Sequence, residues 1–148
     1  MANSDQDFIT NRQRKFQDTL SVVLGDWTRK NEFLDYFADS GFVYTDFDVN
    51  TTLTDKAGLE GFASGMADSG SDWTISTRSI SGTKNEYDAG FKLAKEAPFL
   101  PGATVGTEAK LVGCPVTWWN EDGKIVRNHD YGKFVTGGSQ VGERDHRG

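Results

Sequence analysis

Four side chains capable of proton transfer or hydrogen bonding fall into two pairs, each pair two residues apart. Asn128 and Asp130 lie in Ile125-Val126-Arg127-Asn128-His129-Asp130-Tyr131, and Tyr44 and Asp46 lie in Phe42-Val43-Tyr44-Thr45-Asp46-Phe47. On a strand, that spacing puts both members of a pair on one face. The segment around Asp130 reads as the second arm of a β-hairpin, with Asp122-Gly123 at the turn, because glycine takes the positive φ of a tight loop. With Glu121-Asp122-Gly123 as a three-residue loop, Asn120 pairs with Lys124, Trp119 with Ile125, Trp118 with Val126, Val116 with Asn128 and Cys114 with Asp130. One face then carries Val112, Cys114, Val116, Trp118 and Val126 around Asn128 and Asp130. A carboxyl among apolar side chains has its pKa raised, which makes an ordinary Asp a proton shuttle near neutral pH. A slip of one residue would instead turn Asp130 to water and His129 inward. Tyr44 and Asp46 share their face with Phe42, which is either a solvated sheet face or the wall of a pocket.

The elements that must position these groups follow from apolar spacing. Residues 6–24 read as an amphipathic helix with Phe16, Leu20, Val23 and Leu24 in one stripe and Gly25 as its stop. A short helix follows over 30–38, burying Phe33, Leu34 and Phe37, and then the strand 42–47. Thr54 is expected to cap a third helix running to about Ala67, with Leu59, Phe62, Ala63 and Met66 on its apolar side. After the loop 69–72 the chain is β-like over 73–81, 88–95, 106–119 and 124–134, with Pro115 demanding a bulge or an unpaired edge. The connection 96–103 is expected to expose Phe99 and Leu100 as a lid or interface segment. Residues 1–136 are read as one domain and 137–148 as a flexible tail.

The net charge of −6 and the absence of a Lys/Arg-rich run argue against nucleic acid as a partner. No apolar stretch approaches a membrane span and the first residues have no secretory character, so the expectation is a soluble, cytoplasmic chain. Cys114 is the only cysteine, and His129 and His146 are the only histidines. Metal-ligand spacings and Gly-rich phosphate loops are absent, so no metal or organic cofactor is expected. Eighteen aromatic residues (10 Phe, 4 Trp, 4 Tyr) favour a core or cavity walled by rings, with Trp118, Trp27, Phe37, Phe62 and Met66 as candidate walls or as simple core. His129, on the face opposite Asp130, reads as an exposed or interface residue, and Lys92 as a solvated one.

Three helices with one strand among them, then a run of antiparallel strands, give an α+β plan in which the helices cover one side of the sheet. The order of Phe33-Leu34-Asp35-Tyr36-Phe37-Ala38, Phe42-Val43-Tyr44-Thr45-Asp46, the Gly-rich third helix and the closing Asp122-Gly123 hairpin through Asp130-Tyr131 resembles the SnoaL-like branch of the nuclear transport factor 2-like superfamily, over about residues 10–134. The resemblance implies a cone-shaped domain, three N-terminal helices on a strongly curved, mostly antiparallel sheet enclosing a cavity. It also implies cofactor-free acid/base enzymes such as cyclases, isomerases and dehydratases, beside members that only bind or scaffold, and commonly a homodimer through the outer sheet face. Asp130 matches the proton-shuttling Asp on a late strand of SnoaL-like cyclases. Tyr44 is expected to donate a hydrogen bond to the substrate oxygen on which charge develops, and Asp46, if close to Asp130, to split the two pKa values and leave one carboxyl protonated as the acid. Trp118, Trp27, Phe37, Phe62, Met66, Asn128 and Cys114 are the expected substrate wall. Asn128-His129-Asp130-Tyr131 is also similar to the Arg-Asp-Tyr setting of limonene epoxide hydrolases. There His129 replaces Arg, Asp46 replaces an Asn, and no Arg-x-Asp occurs on the middle strands. The expected partner is a hydrophobic, oxygenated small molecule. For the dimer, Trp119, Ile125 and Tyr131 are the expected outer face.

Overall fold

The structure, a computed structural model, describes residues 2–136, and the tail expected over 137–148 lies outside them. Three helices precede most of the sheet. α1 (Ala2–Val23) ends next to Gly25. A 3-10 turn (Trp27–Arg29) leads into α2 (Lys30–Leu34), and α3 (Lys56–Ser69) follows the first two strands. α2 is shorter than its apolar spacing predicts because its continuation is taken by the hairpin: Ile125 N–H donates to Tyr36 O at 2.7 Å and Ala38 N–H to Ile125 O at 3.0 Å. The cap of α3 is Asp55 rather than Thr54, its Oδ1 accepting from Gly58 N–H at 2.7 Å.

Eight strands form one sheet: β1 (Val43–Asp46), β2 (Thr51–Leu53), β3 (Gly70–Ser81), β4 (Lys84–Leu93), β5 (Glu108–Gly113), β6 (Val116–Trp119), β7 (Ile125–Asp130) and β8 (Gly132–Thr136). The order is β2-β1-β7-β6-β4-β5-β8 with β3 on β4, and every pairing is antiparallel except β1 with β7. β2 and the first residues of β4 are additions to the sequence reading. Two runs expected as continuous strands are each divided. The first breaks at Cys114-Pro115, where proline lacks an N–H for the ladder, and the second breaks at Tyr131. The breaks lie together, since Cys114 N–H donates to Tyr131 O at 2.6 Å, and both chains change partners there.

The hairpin closes as its turn chemistry predicts. Gly123 has φ +72°, Asn120 N–H donates to Lys124 O at 2.8 Å, and Asn120 Oδ1 accepts from Asp122 and Lys124 N–H. Beyond Trp119 and Ile125, however, the partners shift: Trp118 faces Arg127, Thr117 faces Asn128 and Val116 faces His129. Val126 is therefore a bulge, an extra residue on one arm, and the expected pairings of Trp118 with Val126 and Val116 with Asn128 are corrected by one.

Packing divides into two apolar clusters. The larger joins α1, α2, α3 and the β1/β7 region through Phe16, Phe33, Phe37, Phe42, Leu59 and Ile125, with ring centroids 5.3–5.9 Å apart in stacked, edge-to-face and tilted pairs. The smaller lies at the other end, where Ala97 and Leu100 are buried against Phe91, Leu93 and Ala109 and flanked by Phe99 and Phe134. The expectation that 96–103 exposes its apolar residues as a lid is thus corrected: Leu100 is buried and Phe99 partly so, because they close the end of the sheet.

Candidate active site

Because β1 and β7 run parallel in register, Tyr44 lies beside Asn128 and Asp46 beside Asp130, and all four project from one face. That face looks toward the helices: the Tyr44 ring packs against Phe62 of α3 and Phe37 after α2. The bulge at Val126 decides what joins them. By shifting β6 one residue it brings Thr117 onto this face, opposite Asn128, and sends Trp118 to the other.

Asp130 is held at both oxygens. The Tyr44 hydroxyl donates to Oδ2, and Asn128 Nδ2 donates to Oδ1 at 2.7 Å. Asn128 is fixed in turn by Thr117, whose hydroxyl donates to Asn128 Oδ1 at 2.8 Å and keeps the amide nitrogen on the carboxylate. Gln13 of α1 lies behind Thr117, donating from Nε2 at 3.5 Å while its Oε1 accepts from Trp119 Nε1 at 3.1 Å. Every donor in this chain points toward Asp130. Burial nevertheless dominates and pushes the Asp130 carboxyl up to about 6, with the charges of Asp46 and Asp48 adding to it.

Asp46 is raised by burial and eased by the backbone N–H groups of Val49 and Asp48, which its Oδ1 accepts. It therefore anchors the turn after β1, and its carboxylate charge adds to burial in raising the pKa of Asp130. Tyr87 of β4 is a further phenol of the site. Burial and the charges of Asp130, Asp46 and Asp48 raise its pKa well above the usual tyrosine value. Its ring lies on Gly113, its partner in β5, where a Cβ would stand 2.6 Å from Cζ. Only glycine leaves that room.

These groups floor a pocket of about 90 Å³ between sheet and helices. Phe16, Leu20, Phe33, Leu59, Phe62 and Met66 form its helix side, and Tyr44, Asp46, Tyr87, Leu111, Asn128 and Asp130 its sheet side. A carboxyl near pH 6 in an apolar pocket can take a proton and return it at neutral pH. Among the described residues no cluster of three or more His, Cys, Asp or Glu is placed to hold a metal ion, and no helix is long and apolar enough to cross a membrane.

Of the candidates drawn from the sequence, Asp130, Tyr44, Asp46, Asn128, Phe62 and Met66 come together here. Tyr44 donates to Asp130 itself rather than standing free for a substrate oxygen. Four others lie elsewhere. Phe37 is wholly buried core, and Trp27 packs on that core without reaching the pocket. Cys114 lines a separate groove with Arg78, Val112 and Tyr131, because the strand breaks beside it. Trp118 is 38% exposed on the outer face, where the bulge sends it, edge-to-face with His129 and under Arg127. The outer face is correspondingly different from expectation. Ile125 is fully buried and Trp119 packs on Phe16, while Phe47, Trp118 and Tyr131 make an exposed aromatic group around the half-buried His129. Lys92 is exposed, 3.6 Å from Asp72.

Sequence reasoning passed over Tyr87, Thr117, Gln13, Gln17 and Asn85. The two glutamines carried a usable signal, lying four residues apart on the side of Phe16 and Leu20. Tyr87 and Asn85 fell before the start of the strand as read from the sequence, and Thr117 needed the bulge.

No family model matches the chain, and no curated protein sequence matches it. Solved structures do. The chain is similar to a protein of Shewanella denitrificans OS-217 classed with SnoaL-like polyketide cyclases, at 10% identity, covering 83% of this chain and 88% of that one with a TM-score of 0.65. It is similar to an NTF2-like protein of unknown function from Exiguobacterium sp. 255-15, at 15% identity, 86% and 99% coverage and a TM-score of 0.59. It is also similar to an epoxide hydrolase of the LEH-like kind from M. tuberculosis, at 11% identity, 86% and 84% coverage and a TM-score of 0.60. With helices on one face of a mostly antiparallel eight-stranded sheet, the chain has the α+β fold of SnoaL-like and nuclear transport factor 2-like proteins.

Proposed function

We propose that the protein is a cofactor-independent general acid/base enzyme, a cyclase, isomerase or dehydratase, acting on a small hydrophobic molecule that carries oxygen. The observation that carries this reading is Asp130, set at the floor of an apolar pocket between the Tyr44 hydroxyl and the Asn128 amide, with its carboxyl near 6. In the reaction envisaged, the Asp130 carboxylate takes a proton from carbon next to a carbonyl. The Tyr87 hydroxyl, the phenol of the site not bonded to Asp130, donates to the enolate oxygen. Asp130 then returns the proton to a second carbon, which is isomerisation, or to a departing hydroxyl, which is dehydration. Tyr44 and Asn128 position the carboxylate, and burial, with the Asp46 charge adding to it, keeps its proton affinity high.

The cone-like enclosure belongs to this reading: α1 to α3 form one wall and the sheet the other. The pocket, about 90 Å³, is smaller than the engineered cavity of about 150 Å³ that takes benzene, so a single ring enters only as the side chains of its wall give way. A polycyclic substrate requires Phe62 and the flexible Met66 to move aside. The small volume is also what favours the second reading, a binding or assembly module without turnover. Epoxide hydrolysis, the activity in the name of one structural neighbour, is less well supported, because His129 points away from the pocket and Asp46 stands where an amide is expected. In either reading we propose a homodimer through the outer face, where Phe47 and Tyr131 stack at 4.9 Å and are about half exposed. Sedimentation of wild type against the Phe47→Ser/Tyr131→Ser variant tests it, the variant running as a monomer.

The test of the enzymatic reading is deuterium exchange into 2-cyclohexenone, followed by proton NMR, with wild type and Asp130→Asn. Exchange by wild type at least about 100-fold above the variant, the usual scale of general base catalysis, supports it. Exchange equal in the two proteins removes Asp130 from the chemistry.

A further inference from the structure

Helix α1 buries two glutamines one turn apart, Gln13 at 0% and Gln17 at 2% exposure. They occupy the same side of the helix and break the same apolar stripe. Burying an amide is unfavourable unless both its ends find partners. Gln13 finds them in Trp119 and Thr117. Gln17 does not. Its Oε1 accepts from Nδ2 of Asn85, which is itself fully buried on β4, and the remaining halves, Gln17 Nε2 and Asn85 Oδ1, have no partner among the described residues. Turning both amides over leaves the same result, one donor and one acceptor unpaired, and turning one sets like against like. Gln17 also lines the pocket that Asp130 floors, whereas Gln13 does not.

The contrast between the two glutamines separates a structural amide from one that lacks a partner. Buried polar groups left unpaired in a folded protein call for a missing partner, and Gln17 is the member of the pair that lines the pocket. We propose that Gln17, backed by Asn85, is a second polar subsite that hydrogen-bonds a hydroxyl group of the substrate at a position apart from the one Asp130 acts on. A hydroxyl both donates and accepts, so it can pair with the free end of the Gln17 amide whichever way that amide is turned. The substrate class narrows accordingly to small cyclic molecules oxygenated at two separate positions, a hydroxyketone rather than a simple ketone. This inference rests on the pocket being a substrate site.

The experiment compares cyclohexanone with 4-hydroxycyclohexanone as probes, their affinities measured by protein-observed NMR titration. Wild type, Gln17→Met and the Gln17→Met/Asn85→Leu variant are titrated, and thermal melts are recorded for all three. Wild type is expected to bind the hydroxyketone about tenfold more tightly, the worth of one good buried hydrogen bond. Both variants are expected to lose that preference and keep the affinity for cyclohexanone. The double variant, with no orphan amide left, is expected to melt at or above the wild-type temperature. Equal binding of the two probes by wild type, or a preference that survives Gln17→Met, overturns the subsite alone. A double variant that melts far below wild type makes the pair structural and overturns it as well. Failure of wild type to bind either probe removes the pocket as a substrate site, and the inference falls with it.

Discussion

His129 and Asp130 are neighbours in sequence and sit about 3.3 Å apart along one strand, yet they belong to different chemical worlds. On the inner face, Asp130 lines an apolar pocket, is bonded by Tyr44 and Asn128, and has its carboxyl raised to about 6. On the outer face, His129 lies among Trp118, Phe47 and Tyr131, with Arg127 Nε donating to its Nε2 at 3.1 Å, and its pKa is lowered by partial desolvation and by the Arg127 charge. The residue type that ordinarily titrates near neutrality is thus the one pushed toward staying neutral, and the carboxyl takes over that range. Which group can move a proton at pH 6–7 is set by the face it occupies.

The sharpest way to break this comparison is to remove the inner charge. The folded-state pKa of Asp130 is raised above its ordinary 3.8, so the group favours the folded state fully below about pH 4, and that contribution is lost as pH rises through about 6. The difference corresponds to about 3 kcal/mol. Asp130→Asn is expected to remove this fall, so denaturant melts of wild type lose about 3 kcal/mol relative to the variant between pH 4 and pH 7. Parallel curves would mean that the carboxyl is solvated like any surface Asp.

A smaller effect tests the hydrogen-bond chain. Thr117→Val keeps the shape and removes the hydroxyl that orients Asn128, so the anion of Asp130 loses its best-oriented donor. The Asp130 carboxyl, followed by carbon-detected NMR, is expected to titrate higher, and stability to fall by about 1–2 kcal/mol. Thr117→Ser is expected to restore both. An unchanged titration in Thr117→Val would show that Asn128 holds its orientation without the hydroxyl.

The smallest effect is expected on the outer face. His129→Gln should alter stability by no more than about 0.5 kcal/mol and leave the Asp130 titration where it was. A shift in that titration would mean that the two faces communicate, and the comparison would need redrawing.

Much of the site was legible because it depends on local rules. The two-residue spacing paired Tyr44 with Asp46 and Asn128 with Asp130, and the Asp122-Gly123 turn closed the hairpin as read, since glycine at φ +72° is what such a loop requires. The inward placement of Asp130 and outward placement of His129 also followed from alternation. Alternation alone puts Trp118 on the inner face and leaves Thr117 unremarked, whereas a bulge at Val126 adds a residue to one arm only and exchanges the faces of everything beyond it on the other. The prolines and glycine around Phe99 and Leu100 predict an exposed loop, whereas their burial comes from Phe91 and Phe134, distant in sequence.

By itself the sequence determined what each segment does locally: helix stripes, strand alternation, the turn, the break at Pro115, and a carboxyl on the apolar side of a late strand. These follow from periodicity and backbone chemistry, which act over a few residues. The tertiary structure alone decided which residues meet. It set β1 parallel to β7 so that Tyr44 reaches Asp130, brought Tyr87 across on a glycine, and left Gln17 and Asn85 joined by one bond and open at the other ends. Contacts of that kind depend on register and on the closing of long loops, and neither is written in the spacing of any one segment.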